Sequence, residues 1–328
     1  MRLVPLLFTG VAALCPAVGA QAQPASTGSG LAYPTKPIRV VVPFAAGSAT
    51  DTVGRSYTAK FNELLGQSGV IDNRPGANGL IGADAVAKAA PDGYTILCGT
   101  NSTNAALVSL YKKLPYDQDK DFVPIAFLGS VPLIVAVNNS LPVKNLKDMI
   151  ALAKSKPGEF LYASASTSQR VSTEMFANMA GIKLTMVPYK SSPHAITDLI
   201  AGQVMMFTAD LAVTMPQVKA GKIRGLAVTS QKRTALIDLP TVEEAAGLKG
   251  YELIAWFAAY APRNTPQAVI ERLNSAINQA ANSKDVKDRL IAFGVETNPH
   301  TPAQLAERTR VETVKWAKAI KDAGIQPE

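Results

Sequence analysis

Residues 40–56 read VVVPFAAGSATDTVGRS, and the way the chain leaves that valine run decides the kind of fold. Three valines behind Arg39 and a Pro43-Phe44 stop predict the end of a strand covered on both faces. Val53, Tyr57, Phe61 and Leu64 then recur at helical spacing. Asp51 sits in the first turn and Gly66 comes next as a stop, which predicts a helix over 51–65. A buried strand, a short turn of Gly, Ala and Ser, and a helix start together make an anion seat. The first N–H groups of a helix have no partner inside it, and its dipole is positive at that end.

The same rhythm continues on both sides. GVIDNRP (69–75) reads as a short strand, 79–89 as a helix and PDGYTILCG (91–99) as a turn and a third strand. After an extended apolar stretch the pattern restarts. Leu146, Met149, Ile150 and Ala153 share a helical face, FLYAS (160–164) is a strand, and Val171, Met175, Phe176 and Met179 mark a helix ended by Gly181. LTMVPY (184–189), VMMFTA (204–209) and IRGLAVT (223–229) come next as strands with helices between them. Two of the helices after residue 262 open with Thr-Pro, at 265–266 and 301–302, where Thr is expected to cap and Pro to fill the first turn.

Such alternation predicts an α/β fold with parallel strands. Extended apolar segments near 128–138 and 252–261 bracket the middle of the chain. The simplest arrangement is two lobes, 33–132 plus 256–328 and 133–255, joined by two hinge-crossing strands with a ligand cleft between them.

The first 22 residues hold one positive residue, a short apolar run and small residues at 18–20 and 20–22. They read as a secretory signal peptide cut after Ala20 or Ala22, with 23–32 as a linker, and so predict a periplasmic protein. Leu14 before Cys15 disfavours a lipoprotein. Cys98 then remains without an internal disulfide partner, in a strand where a buried thiol is expected. The net charge is +8, with the basic residues scattered rather than clustered. That disfavours nucleic acid and mildly favours small anions.

Catalytic and cofactor readings are poorly served. Gly47 and Gly54 lack phosphate-loop spacing, and no Gly-x-Gly-x-x-Gly occurs in this region. YASASTSQRVS (162–172) offers Ser164, Ser166, Thr167 and Ser168 ahead of a helix, but a serine nucleophile needs a base. The two histidines are His194, expected on a helix surface or lining the cleft, and His300, expected in solvent. A secreted serine hydrolase is therefore a minor alternative, and no metal or cofactor is expected.

A carboxylate held by hydroxyl-rich turns, one in each lobe, remains. Asp51 caps its helix or accepts a bond from bound water or an ammonium group. Arg170 pairs with a carboxylate or lies exposed on its helix. Tyr189 contacts ligand and lobe, and Asp210 orients a donor, binds an amine or caps the next helix.

Seven stretches then carry a family resemblance: YPTKPIRVVVPFAAGSATD (33–51), NRPGANGLIGADAVAKAAPDGYTI (73–96), LPYDQDKDFVPIA (114–126), VPYKSSPHAITDLIAGQV (187–204), AGKIRGLAVTS (220–230), LPTVEEAAG (239–247) and WFAAYAPRNTP (256–266). Together they resemble the receptors of tripartite tricarboxylate transporters, the Bug receptors. The resemblance implies a type II periplasmic-binding-protein fold that closes on a small organic acid and presents it to membrane permease subunits. A sensory subunit is the alternative within that fold, and a monomer is expected because the hinge must open. It implies a ligand role for Phe44, Ala45, Gly47, Ser48 and Asp51, and for Ser164, Ser166, Thr167 and Ser168. Thr100 and Asn101 match a further cleft turn, and Tyr189 and Asp210 match second-lobe contacts. Three departures stand out: Ser48 and Ser191 replace glycines of the common pattern, and Arg170 stands near a usual histidine. They predict a cargo that differs in size or second charge.

Overall fold

In the computed structural model, which describes Met1 and residues 33–327, the valine run forms β1 (Ile38–Val42), buried at four of its five positions. Apart from Met1, the signal peptide (1–22) and linker (23–32) lie outside the described residues. The other strands are β2 (Gly69–Asn73), β3 (Thr95–Thr100), β4 (Phe122–Asn138), β5 (Phe160–Ser164), β6 (Leu184–Pro188), β7 (Met206–Asp210), β8 (Ile223–Val228) and β9 (Ile254–Pro262). They join in the order β2-β1-β3-β9-β4-β7-β5-β6, with β8 also paired to β4.

The order shows one plan used twice. β1 lies between β2 and β3, parallel to both, and β5 lies between β6 and β7 in the same way. Parallel neighbours need helical crossovers, so each of these strands ends in a turn that opens a helix. In open sheets of this kind the crevice at the carboxyl ends of the strands is where ligands bind.

β4 carries the chain from one half to the other. Its residues Phe122–Pro132 pair antiparallel with β9, whereas Leu133–Asn138 pair with β7 and β8. The changeover is tied by Thr229, fully buried, whose Oγ1 accepts from Leu133 N–H at 2.8 Å and whose own N–H donates to Leu133 O at 3.0 Å. Leu253 N–H then donates to Thr229 O at 3.0 Å, so the returning chain is held at the same point.

Two local expectations change. The helix expected over 51–65 is two, Ala49–Thr58 and Phe61–Leu65, because the chain tightens at Lys60, whose N–H donates to Tyr57 O three residues back. The two Thr-Pro starts also behave differently. Thr301 makes a reciprocal capping box with Gln304, but Thr265 donates to Pro262 O at 2.7 Å and leaves Pro266 at the cap position of Gln267–Asn282. Cys98 is buried, and burial pushes its thiol up to about 12, so it is an inert core group.

Replacing Thr229 by valine keeps the shape and leaves Leu133 N–H without its side-chain acceptor. Urea unfolding is expected to show a loss of about 1–3 kcal/mol, the usual cost of a buried unsatisfied donor. An unchanged stability would show that Thr229 does not hold the crossing.

Candidate functional site

The first wall of the site is the turn after β1. Gly47 has φ +78°, a backbone that residues with a Cβ rarely adopt, and Ser48 N–H donates to Ala45 O at 3.1 Å. Ser48 Oγ then caps the helix Ala49–Thr58 by accepting from Asp51 N–H at 3.2 Å. The two preceding helical N–H groups, of Ala49 and Thr50, stand at the start of the helix where no intrahelical acceptor exists.

Asp51 holds this turn from behind. Its Oδ2 accepts from Gly47 N–H at 3.0 Å and Arg55 Nε at 2.9 Å, and its Oδ1 accepts from Asn73 Nδ2 at 2.9 Å. The same Asn73 Nδ2 donates to Phe44 O at 3.0 Å. Burial pushes the Asp51 carboxyl up, but the bonds from Arg55, Gly47 and Asn73 outweigh it and hold the group below the usual carboxylate range.

The turn after β3 adds Thr100, Asn101 and Ser102. Thr100 Oγ1 accepts from Ser102 N–H at 3.2 Å, and Asn101 Oδ1 accepts from the backbone N–H of Trp256 on β9 at 3.2 Å. That bond turns the Asn101 amide nitrogen the other way, where it is buried with no hydrogen-bond partner among the described residues.

The second wall repeats the device. Helix Thr167–Ala180 comes after β5, helix Ser192–Ala201 after β6 and helix Leu211–Lys219 after β7. Ser166 and Ser168 place their hydroxyls 3.1 Å apart. Gln169 Oε1 accepts from Ala165 N–H at 2.7 Å, and its Nε2 donates to Ser192 Oγ at 2.9 Å and to Asp210 Oδ2 at 3.4 Å. Burial pushes Asp210 up to about 6, partly offset by its own backbone N–H and by Gln169.

Between these walls lies a pocket with about 310 Å3 of empty space, part of it open to solvent. Phe44, Ala255 and Phe257 form its apolar surface, and Ser48, Thr50, Thr100, Asn101, Ser102, Ser166, Ser168, Gln169, Ser192 and Asp210 supply polar groups. Among the described residues that line it there is no Lys, Arg or His, so the positive potential comes from helix N-termini. His194 is exposed on its helix, and His300, expected in solvent, packs half-buried against Phe127 with ring centroids 4.9 Å apart. No group of His, Cys, Asp and Glu suited to a metal occurs among the described residues.

Of the residues expected at the site, Phe44, Ser48, Thr100, Asn101, Ser166, Ser168 and Asp210 line this pocket. The others stand elsewhere for identifiable reasons. Gly47 faces Pro193 at the cleft mouth, and Ala45 O is used inside the turn. Asp51 spends both oxygens on the turn. Ser164 is buried behind the wall and donates to Ser166 O at 3.2 Å, and Thr167 is buried with its hydroxyl unpartnered among the described residues. Arg170, half-buried on its helix, lies near Tyr162, whose hydroxyl donates to Glu174. Tyr189 does not line this pocket, and its hydroxyl donates to Asp198 Oδ2 of the helix Ser192–Ala201 at 2.7 Å. Asp210 makes no side-chain cap bond to the helix that begins beside it.

Sequence reasoning missed Ala49, Thr50, Ser102, Gln169, Ser192, Ala255 and Phe257. Ser192 was within reach, because Ser191-Ser192 after β6 is another strand, turn and helix start. Ala255 and Phe257 carry no local signal, since β9 brings them from the far end of the chain.

A family model described as "Tripartite tricarboxylate transporter family receptor" matches residues 53–325. Protein BugT of Bordetella pertussis is 35% identical over 297 residues, covering 89% of this chain and 90% of that protein. A structure of R. palustris Rpa4515 with adipate superposes with a TM-score of 0.87 at 38% identity, covering 90% of this chain and 100% of that one. MatC (Rpa3494) from Rhodopseudomonas palustris with bound malate gives 0.84 at 33%, covering 88% and 100%. The chain belongs to the tripartite tricarboxylate transporter receptor family.

Two carboxylates give opposite pH signatures. Asp51 titrates below its unfolded value of about 3.9, so its contribution is complete above that value and is lost as pH falls through the folded one. Asp210 titrates above its unfolded value, so its contribution is present below about 3.9 and is lost as pH rises towards about 6. Thermal melts of the ligand-free protein are expected to show Asp51→Asn less stable at pH 7 (about neutral) with a smaller loss in acid, and Asp210→Asn more stable at neutral pH. Equal melts for all three proteins would contradict both assignments.

Proposed function

For a receptor of this family the open question is its cargo, and we propose a small organic carboxylate, captured in the periplasm and delivered to the permease subunits of a tripartite tricarboxylate transporter. The observation that supports this is the pocket wall. Helix starts from both halves of the sheet meet there, with Asn101 Nδ2 as a buried donor that has no acceptor among the described residues. Serine hydroxyls, a side-chain amide and helix N–H groups suit an anion with several acceptor oxygens. The adipate and malate held by two similar proteins are anions of this kind.

In this reading the halves are lobes, 33–132 plus 256–328 and 133–255, and they close about the β4–β9 crossing. The walls already approach each other, since a Cβ on Gly47 would lie 3.4 Å from Pro193 Cγ across the mouth. Closure removes the cargo from water and strengthens each of its hydrogen bonds; opening withdraws half the donors at once. Neither histidine lines the pocket, so its serines have no imidazole base there, and binding without turnover fits better than hydrolysis.

Melting of refolded, ligand-free protein against a panel of small organic acids tests the proposal. An acid at 100 times its dissociation constant is expected to stabilise the protein by about 2.7 kcal/mol, a shift of several degrees. Asn101→Ala is expected to weaken that acid by about 10-fold or more, as for a hydrogen bond to a charged group. The absence of any shift across the panel would overturn the carboxylate reading.

A further inference from the structure

We propose that the cargo carries a protonated amine beside its carboxylate and that Asp210 receives the amine, which narrows the carboxylate reading, on which this rests, to amino acids and related zwitterions. Asp210 is 7% exposed, ends β7 and lines the pocket. It occupies the cap position of Leu211–Lys219 without a side-chain cap bond, so the helix does not use its carboxylate. Gln169 shows which form of Asp210 the wall is built for. Its oxygen is taken by Ala165 N–H, so its amide nitrogen faces Ser192 and Asp210, presenting N–H to an acceptor oxygen.

The rest of the lining decides the sign of the cargo at that end. The elements around Asp210 present Ser166, Ser168, Gln169 and Ser192, all uncharged, and no cationic side chain lines the pocket among the described residues. A dianion would bring a second negative charge into a buried space that already holds one, with no side-chain cation to offset it. A zwitterion places its carboxylate on the donors of the first wall and its ammonium on Asp210, so each charge meets its complement.

Calorimetric titration at neutral pH with matched acids of several sizes tests this: alanine against lactate, aspartate against malate, phenylalanine against phenyllactate. In the pair whose size fits, the amino member is expected to bind about 10- to 100-fold tighter. Its affinity is expected to be about tenfold lower at pH 5 than at pH 7, as a group titrating near 6 gains a proton. In Asp210→Asn, checked for folding by circular dichroism and melting, both the preference and the pH dependence are expected to vanish. Should that variant fail to fold, the wild-type pairs and pH series decide alone. Tighter binding of the hydroxy acids, or amino-acid binding insensitive to Asp210→Asn in a folded protein, would overturn the amine assignment and leave the carboxylate reading standing. Binding of no acid at any size would overturn both.

Discussion

One buried carboxylate, Asp51, holds the first wall of the pocket in place. Its donors come from three elements: Gly47 in the turn, Arg55 one helical turn on, and Asn73 at the end of β2. Because Asn73 also fixes Phe44 O, the turn cannot shift without breaking bonds to both helix and sheet. Ala49 and Thr50, which open the helix and line the pocket, are thereby held in place before any cargo arrives. Donors ordered in advance leave less conformational entropy to lose on binding. Asp51 thus acts through the turn, and Arg55, which does not line the pocket, neutralises its charge.

The opposing walls share an electrostatic solution. Helix starts after β1 and after β5, β6 and β7 meet near one point because β4 runs in the sense of β1 and antiparallel to β7, so the carboxyl ends of the two sets of strands point towards each other. Each contributes a fraction of a charge, about 0.3–1 kcal/mol at an exposed site and up to about 2 when partly buried. A bidentate arginine would hold an anion in either state of the hinge. Dipoles and hydroxyls split between two halves hold it well only when the halves meet, which suits a protein that must release what it carries. In the proposed reading, Asp210 adds selectivity of charge to a wall that otherwise favours any anion.

The fold was legible because its signals are local and repeated. The valine run and the small-residue turn of residues 40–51 lie within a dozen positions and mean the same thing in sequence and in space, although the helix cap is Ser48 and not Asp51. Site membership was less legible, because residue type says what a side chain can bind and not where it points. Tyr189 has the chemistry of a ligand contact, but Asp198 captures its hydroxyl. Asp51 has the chemistry of an ammonium partner and spends it on backbone and arginine. The two Thr-Pro starts diverge at the third residue beyond the threonine. Thr301 has Gln304 there to complete a capping box, whereas Thr265 has Ala268, which has no group to return the bond. Phe257 enters the site by strand pairing with Thr100, nearly half the chain away, which no local pattern records.

The central claim, that a carboxylate sits between the helix starts of the two halves, is tested most directly by a crystal structure of the protein with the tightest acid found in solution. The account predicts carboxylate oxygens at about 2.7–3.2 Å from the N–H groups of Ala49 or Thr50 and from Asn101 Nδ2, directly or through one ordered water. A cargo bound instead in the groove lined by Ser130, Lys232 and Glu252, with the Ser48 and Ser166 turns contacting only solvent, would contradict it.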